Sequence, residues 1–261
     1  MKTLFRILAF LGPLLQFGMA ILSVFVTDFI DLKTKYGLPE ELYLEPAGAA
    51  FAVWNIIFLS FIVLGIYQLK PSLKDDQRWV SARPFIFVSC MGNIIWFLGD
   101  FSTNLTISLF GFLIMLVTLT KLNNIFKLGE KSVSQRERWL VKFPISIFYG
   151  WISIAFPLGV TLWLMQTFGL SGYEVLSPEA WSVLVIVVAL AIFGYLLWKR
   201  KVSVVFISAV VWGLFWIFVA NLNDKLSLTI AASAAATLLL IELVVVKLAL
   251  NKRLVETKSH L

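Results

Sequence analysis

The chain has 261 residues, of which 60% are hydrophobic and only 14% carry a charged side chain. An ordinary soluble domain is about 45–50% apolar and about 25% charged, so a soluble fold of this length could not hide so much apolar surface from water. The composition therefore excludes a soluble domain and predicts an integral membrane protein. The net charge of +7 requires no nucleic-acid partner, because the positions of the charges follow the predicted topology.

Apolar stretches long enough to cross a bilayer follow one another along the chain. A span needs about 20 mostly apolar residues, because a helix rises about 1.5 Å per residue and the hydrocarbon core is about 30 Å thick. The predicted fold is all-α, a polytopic bundle of about eight transmembrane helices. The eight stretches are Ile7–Val26, Ala47–Leu69, Pro84–Phe101, Leu105–Phe126, Phe143–Phe168, Ala180–Trp198, Val202–Ala220 and Leu226–Leu248.

The positive charges support this number of spans. Alternating the loops places 19 of the 22 Lys and Arg residues on the side of the N terminus and leaves only Lys33, Lys35 and Lys225 on the other. The positive-inside rule then makes the first side cytoplasmic, so we expect both termini in the cytoplasm and a bacterial cytoplasmic membrane as the location. Lys2 and Arg6 before an apolar run also resemble a secretory signal, but the run is long for one and no clear cleavage site follows.

Few polar groups offer chemistry of their own. The acidic external loop Thr27–Glu45 is predicted to be a solvated cap or a lid over the bundle. Glu242 is the only carboxylate well inside an apolar run, and we favour a structural role for it. Cys90 is the only cysteine and His260 the only histidine, so the sequence predicts neither a disulfide framework nor a clustered metal site.

The ten tryptophans fall into two groups by predicted depth. Those near span ends are typical of the interfacial aromatic belt: Trp79, Trp139, Trp163, Trp181 and Trp198. Deeper indoles usually seek a partner for the N–H and suit a pocket for a flat aromatic ligand. These deeper residues are Trp54, Trp96, Trp151, Trp212 and Trp216.

Three of the predicted helices carry motifs that resemble one known family. The second reads Pro46-Ala-Gly-Ala-Ala-Phe51-Ala-Val-Trp54-Asn-Ile-Ile-Phe58, the third Asn93-Ile-Ile-Trp96, and the fifth Trp151-Ile-Ser-Ile-Ala155 followed by Trp163. In this order and spacing they resemble the TspO/translocator protein family, also called tryptophan-rich sensory proteins. The resemblance covers roughly residues 5–168. It implies a five-helix core in residues 1–168, three additional transmembrane helices in 169–250 and a cytoplasmic polar tail in 251–261.

The chain also departs from the compact members of that family. It has Tyr43-Leu-Glu45-Pro46 where they carry a second proline after an aromatic residue, and Gly159 takes the place of an asparagine. No acidic residue lies within the fourth span, where the family often has one. These departures and the extra helices are more similar to a longer branch of the family, so we do not expect an unchanged ligand specificity.

Helical geometry brings the motif residues together independently of the resemblance. Trp54 and Phe58 are four residues apart and share a helix face, as do Asn93 and Trp96. Trp54 and Asn93 each lie about eight residues, or about 12 Å, below the external surface. We therefore predict a pocket that opens towards the external half. Its walls would be Phe51, Trp54, Phe58, Trp96 and Trp151, with Asn93 as the orienting polar group.

Ala155 joins this set because the resemblance places it in the fifth-helix motif. The alternative is that all these residues only pack the bundle, with Asn93 forming a hydrogen bond between helices. The sequence leaves both interpretations open.

The resemblance implies a binding or sensory protein for an apolar aromatic ligand, with tetrapyrroles such as protoporphyrin or haem first and sterol- or isoprenoid-like molecules second. We expect no catalytic residues and no cofactor apart from a tetrapyrrole bound as ligand, since phosphate-binding loops, zinc motifs and nucleophile elbows are missing. Expected partners are the lipid bilayer and a small hydrophobic ligand, with a homo-oligomer left open. The alternatives are a transporter of a small hydrophobic or anionic metabolite and an enzyme that acts on a bound porphyrin or lipid.

Overall fold

The structure is a computed structural model that describes residues 2–26, 35–37, 43–130, 134–168, 176–199, 201–222, 231 and 234–242. Within these residues every regular element is helical, which confirms the predicted all-α class. The external loop 27–45 lies outside the described residues except for 35–37 and 43–45. The predicted eighth span is described only at 231 and over 234–242, which are helical, and the polar tail 251–261 lies outside altogether.

Among the described residues, seven spans have the length and composition to cross a membrane, the second only together with the 3₁₀ helix that precedes it (Gly48–Tyr67). The spans contain seven long α-helices. They are α1 (Lys2–Val26), α2 (Val53–Tyr67), α3 (Gln77–Phe101), α4 (Leu105–Phe126), α5 (Phe143–Phe168), α6 (Pro178–Trp198) and α7 (Val204–Asn221). The predicted membrane helix bundle is thus confirmed for these seven spans.

Hydrogen bonds at one end of the bundle join the start of α1, the end of α2 and the start of α3. The Arg6 guanidinium donates to the Leu69 carbonyl, and Gln68 Nε2 donates back to the Arg6 carbonyl at 2.9 Å. Arg83, which is fully buried, donates through Nη2 to the Leu73 carbonyl at 2.7 Å and through Nη1 to the Lys74 carbonyl at 2.9 Å. These bonds fix the α2–α3 connection, because a buried carbonyl without a partner is costly.

The opposite end is held by side chains of the last turn of α5. Gln166 Oε1 accepts a hydrogen bond from the Leu105 amide at 3.1 Å, and its Nε2 donates to the Thr103 carbonyl at 3.1 Å. Trp163 Nε1 donates to Thr106 Oγ1 at 3.0 Å. Since Leu105 begins α4, these contacts satisfy amides that a helix leaves free at its N terminus. They also set the distance between α4 and α5 around the space described below.

Several helices begin at other residues than predicted: the first begins at Lys2 instead of Ile7 and the third at Gln77 instead of Pro84. Two spans also begin with turns that are not α-helical. The second span was expected to begin at Ala47 as a regular helix, but a 3₁₀ helix, Gly48–Ala52, precedes α2. The fifth was expected to begin at Phe143, but a short helix (Gln135–Glu137) and a π-helical turn (Arg138–Lys142) lead directly into α5. The buried Lys142 stabilises that entry by donating to the Lys127 and Glu130 carbonyls at 2.9 Å each.

The prediction that Trp79 belongs to the interfacial aromatic belt is wrong. Its side chain is only 2% exposed and packs between two aromatic rings, with centroids 5.9 Å from Tyr67 and 5.1 Å from Phe126. The residue lies in the first turn of α3, but the ends of α2 and α4 cover it. Trp139, by contrast, is 55% exposed at the same end of the bundle.

The added helices pack on the outer side of α5. A Cβ at Gly150 would lie 2.4 Å from the Phe206 carbonyl oxygen, so only glycine allows α7 to approach this closely. The Tyr149 and Phe206 rings meet at the same level, 4.9 Å apart. On α6, a Cβ at Gly194 would lie 2.8 Å from Oε2 of Glu242, so the carboxylate lies against α6.

Candidate ligand-binding site

The start of α2 places an aromatic stack in the bundle interior. The Trp54 ring lies nearly parallel to Phe58, with centroids 5.3 Å apart and an interplanar angle of 16°. It also stacks on Trp96 of α3 at 5.7 Å and 23°. The i, i+4 spacing of Trp54 and Phe58 produces the first contact, whereas the second is made by two long indole side chains that reach towards each other from α2 and α3. Such offset stacking adds to the stabilisation from burial.

Trp96 is held in place by a contact between α3 and α4 that has no room for a side chain. A Cβ at Gly111 would lie 2.6 Å from both the Trp96 amide nitrogen and the Gly92 carbonyl oxygen. Both atoms belong to the backbone and cannot rotate away. Gly111 therefore brings α4 against α3 at the level of Trp96.

Trp151 of α5 completes the aromatic wall. Its ring meets Phe51 edge to face at 6.0 Å and Trp54 edge to face at 6.3 Å, with interplanar angles of 82° in both cases. Trp151 is 3% exposed, and its indole N–H has no hydrogen-bond partner. A buried indole N–H usually donates to an acceptor, so this donor is left unsatisfied in the structure.

These rings bound a cavity between α2, α3, α4 and α5. Its volume is about 70 Å³. Five of the seven predicted site residues line it: Phe51, Trp54, Trp96, Trp151 and Ala155. Most of the other lining residues are apolar: Leu105, Leu109, Phe112, Leu158, Gly159 and Leu162.

The two other predicted site residues do not line the cavity. Phe58 lies behind Trp54, between that ring and Phe17 of α1, whose centroid is 6.2 Å away. Asn93 is fully buried and is not among the residues that line the cavity. The direct part in ligand contact predicted for these two residues therefore lacks geometric support. Neither amide atom of Asn93 has a hydrogen-bond partner.

The cavity rim carries a polar group that the sequence did not predict. Asp100, in the last turn of α3, accepts a hydrogen bond from the Tyr36 hydroxyl at 2.6 Å and pairs with Lys35 Nζ at 2.6 Å. Tyr36, Asp100 and Ser108 all line the cavity. Burial and the neighbouring Asp100 carboxylate raise the pKa of Tyr36, so the phenol stays a hydrogen-bond donor at physiological pH.

One signal could have identified this group. Asp100 is a carboxylate directly at a span end, opposite a loop with cationic and aromatic residues, and the loop had already been considered as a lid. The described part of that loop does reach the cavity, through Lys35 and Tyr36.

The chemistry of the site suits binding better than bond making. Indole faces and aliphatic side chains dominate its walls, and its single carboxylate is already paired. Among the described residues no group of three or more His, Cys, Asp or Glu side chains comes together as metal ligands. An apolar cavity with a few polar groups at one side is the usual form of a small-molecule site.

Comparison with known proteins agrees with the motifs. The family model described as TSPO-like protein matches residues 6–245, and the matched region includes α6 and α7 as well as the first five helices. Comparison with curated proteins and with solved structures found no match. Because the family match covers most of the chain, the protein belongs to the TSPO-like protein family.

Proposed function

We propose that the protein is a membrane-embedded binding and sensory protein for a flat, apolar aromatic ligand, with tetrapyrroles first and sterol- or isoprenoid-like molecules second. Membership of the TSPO-like family supports a ligand-binding or sensory role in the membrane. The ligand acts without an obligatory covalent step. Its identity and its fit to the cavity are parts of the proposal.

The observation that carries the proposal is the meeting of three tryptophans from three helices around one cavity. Trp54, Trp96 and Trp151 come from α2, α3 and α5 and all line the same space. Packing alone would be satisfied by rings that fill the interior, whereas these rings surround a void. Burying an aromatic ligand there is worth about 2.5 kcal/mol for each 100 Å² of apolar surface removed from water.

The polar rim gives the ligand an orientation. A tetrapyrrole carries its carboxylates on one edge, and the Lys35 ammonium and the Tyr36 hydroxyl are the donors at the rim of the cavity. A ligand carboxylate would compete with Asp100 for these donors. In this arrangement the apolar macrocycle lies against the indoles and the carboxylates face the mouth.

The cavity is too small for a tetrapyrrole in this conformation. Its volume is about 70 Å³, whereas pockets for small molecules usually measure about 300–1,000 Å³. Binding therefore requires the mouth to widen. Phe51 is the residue best placed to move, because it lies at the mouth and is 38% exposed. Separation of Tyr36 from Asp100 would widen the opposite side.

Titration of protoporphyrin IX into detergent-solubilised protein, followed by quenching of tryptophan fluorescence, tests the proposal. The dissociation constant is compared among wild type, Trp54→Ala, Trp96→Ala and the control Trp198→Ala, whose ring is 62% exposed and lies away from the cavity. We expect the first two variants to bind at least tenfold more weakly and the control to match wild type. Circular dichroism checks that each variant is folded. Equal dissociation constants in all four proteins would reject this cavity as the binding site.

The same titration ranks the ligand classes. A sterol and an isoprenoid alcohol are added as competitors of bound protoporphyrin IX. Displacement by either places it in the same site, and absence of displacement restricts the site to tetrapyrroles.

A further inference from the structure

Helix α7 is hydrogen-bonded to the segment that carries Phe51, one of the residues that line the cavity. Trp212 Nε1 donates to the Ala50 carbonyl at 2.9 Å. The Ala47 amide donates to the Trp216 carbonyl at 3.1 Å. These two bonds tie the residues immediately before and within the 3₁₀ helix to a helix more than 160 positions later in the chain.

A third bond continues the contact outward from the cavity. Asn221 Nδ2, at the end of α7, donates to the Tyr43 carbonyl at 3.0 Å. Tyr43, Ala47 and Ala50 therefore lie along α7 in antiparallel order with Asn221, Trp216 and Trp212. These three bonds hold the approach to α2 along α7, from the middle of that helix to its end.

This segment determines where two cavity residues lie. Phe51 follows Ala50 in the 3₁₀ helix, and Trp54 comes one turn later in α2. The Ala50 carbonyl accepts a hydrogen bond from the Val53 amide as well as from Trp212. A shift of Ala50 would therefore move both the 3₁₀ helix and the first turn of α2.

The helix that holds the mouth is itself fixed to the opposite wall. Gly150 of α5 accommodates the Phe206 carbonyl at a distance that any side chain would prevent. The next residue, Trp151, lines the cavity. In this way α7 connects the α2 wall of the cavity to the α5 wall and sets the separation between them.

We infer that α7 is a positioning element of the ligand site and that Trp212 is its principal positioning residue. The indole N–H of Trp212 holds the 3₁₀ helix in the geometry that presents Phe51 to the cavity, and loss of that bond lets the mouth open more often. The added helices thus tune how fast a ligand leaves. This inference deepens the proposed function and depends on it only for the ligand measurements.

Hydrogen–deuterium exchange tests the positioning role without any ligand. Amide exchange over residues 47–53 is measured in wild type, Trp212→Phe and Trp181→Phe. The control removes a comparable indole hydrogen bond, from Trp181 Nε1 of α6 to Thr161 Oγ1 of α5 at 3.3 Å, which does not touch the mouth. A net hydrogen bond of ordinary strength corresponds to about a fivefold change in an opening equilibrium. We expect exchange about fivefold faster in Trp212→Phe and unchanged in Trp181→Phe; equal exchange in all three proteins overturns the inference.

Stopped-flow dissociation of protoporphyrin IX adds the functional measurement. We expect dissociation about fivefold faster in Trp212→Phe, with an association rate close to wild type, and no change in Trp181→Phe. A double-mutant cycle with Phe51→Ala should be non-additive, because Trp212 acts through the turn that carries Phe51. Additive effects, or equal effects of the two tryptophan variants, would reduce Trp212 to a general packing residue and overturn the inference.

The exchange measurement and the ligand measurements test different claims. If wild type binds no protoporphyrin IX, no sterol and no isoprenoid alcohol, the proposed function fails, and exchange at residues 47–53 still decides whether α7 positions the mouth. If wild type binds but exchange and dissociation are insensitive to Trp212→Phe, the inference fails and the binding function stands.

Discussion

Replacing Gly111 by alanine is the smallest change that should disturb the cavity from outside it. The added methyl group would lie 2.6 Å from the Trp96 amide nitrogen and from the Gly92 carbonyl oxygen. Ordinary contacts of a Cβ begin at 3.4 Å, so α3 and α4 must separate locally by 0.8 Å. Because both opposing atoms belong to the backbone, no side chain can rotate to relieve the contact.

The magnitude follows from two opposing effects. Overpacking in a well-packed interior costs about 1–3 kcal/mol, and a backbone contact belongs at the upper end. Alanine regains about 1 kcal/mol through its higher helix propensity. We therefore expect Gly111→Ala to lower the free energy of unfolding by about 2 kcal/mol. A gap of nearly 1 Å forfeits up to half of the dispersion attraction of the atoms facing it, so ligand contact at Trp96 should weaken as well.

Gly18→Ala is the matched control. Gly18 lies in α1, and a Cβ there would have no heavy atom within 4 Å. The same chemical change should therefore raise the stability by about 0.5–1 kcal/mol, because only the propensity effect remains. The two glycine-to-alanine substitutions should therefore change the free energy of unfolding in opposite directions.

Denaturant titration in detergent, followed by tryptophan fluorescence, measures both free energies. Protoporphyrin IX titration of the same samples should show about fivefold weaker binding for Gly111→Ala and unchanged binding for Gly18→Ala. If Gly111→Ala is as stable as Gly18→Ala and binds equally well, the close approach of α3 and α4 at Trp96 is not present in solution and the geometry of the site must be revised.

Three further outcomes are expected. Asn93→Leu should raise the free energy of unfolding by about 1–3 kcal/mol, because both amide atoms of Asn93 are buried without a partner. The variant should bind the ligand with an affinity within twofold of wild type. A tenfold loss of affinity would restore Asn93 as a ligand contact. Because the pKa of Tyr36 is raised, its neutral phenol stabilises the folded state fully below about pH 10 and less as the pH rises further. Wild type should therefore lose stability above about pH 10 relative to Tyr36→Phe. Parallel profiles of unfolding free energy against pH for the two proteins would contradict the contact with Asp100. Arg83→Leu should cost about 3 kcal/mol because it leaves the side-chain oxygen of the buried Gln68 without its donor. The exposed control Arg78→Ala should cost less than about 1 kcal/mol; equal losses in a denaturant titration would argue against the buried network.

Local patterns were sufficient for the spans and for most of the aromatic wall. Apolar length alone predicts the helices, since a membrane requires long uninterrupted runs. Trp54, Trp96 and Trp151 could be placed because each belongs to a motif whose order and spacing resemble a known family. Helical rise predicts equal depth for Trp54 and Asn93, and the resemblance adds Trp96 and Trp151, so the convergence of the three indoles on one cavity was predictable in outline.

The orientation of Asn93 was not predictable from its own helix. An i, i+3 spacing places Asn93 and Trp96 on neighbouring parts of α3 but leaves them about 60° apart around its axis. Packing against α1 and α4 decides which of the two faces the cavity. The structure places Trp96 in the cavity wall and leaves Asn93 buried outside it.

Long-range contacts account for the other differences. Tyr36 and Asp100 are 64 positions apart, and Trp212 and Ala50 are 162 apart, so no local pattern joins them. Trp79 was expected in the interfacial belt because it lies near a span end, but residues from two other helices cover it. In each case the deciding contact comes from a distant part of the chain.

The most direct test of the central claim is an experimental structure of the protein with protoporphyrin IX bound. The account predicts ligand density between α2, α3 and α5, in contact with Trp54, Trp96 and Trp151 and with its carboxylates towards Lys35 and Tyr36. Density on the outer surface of the bundle, with none between the three indoles, would contradict it.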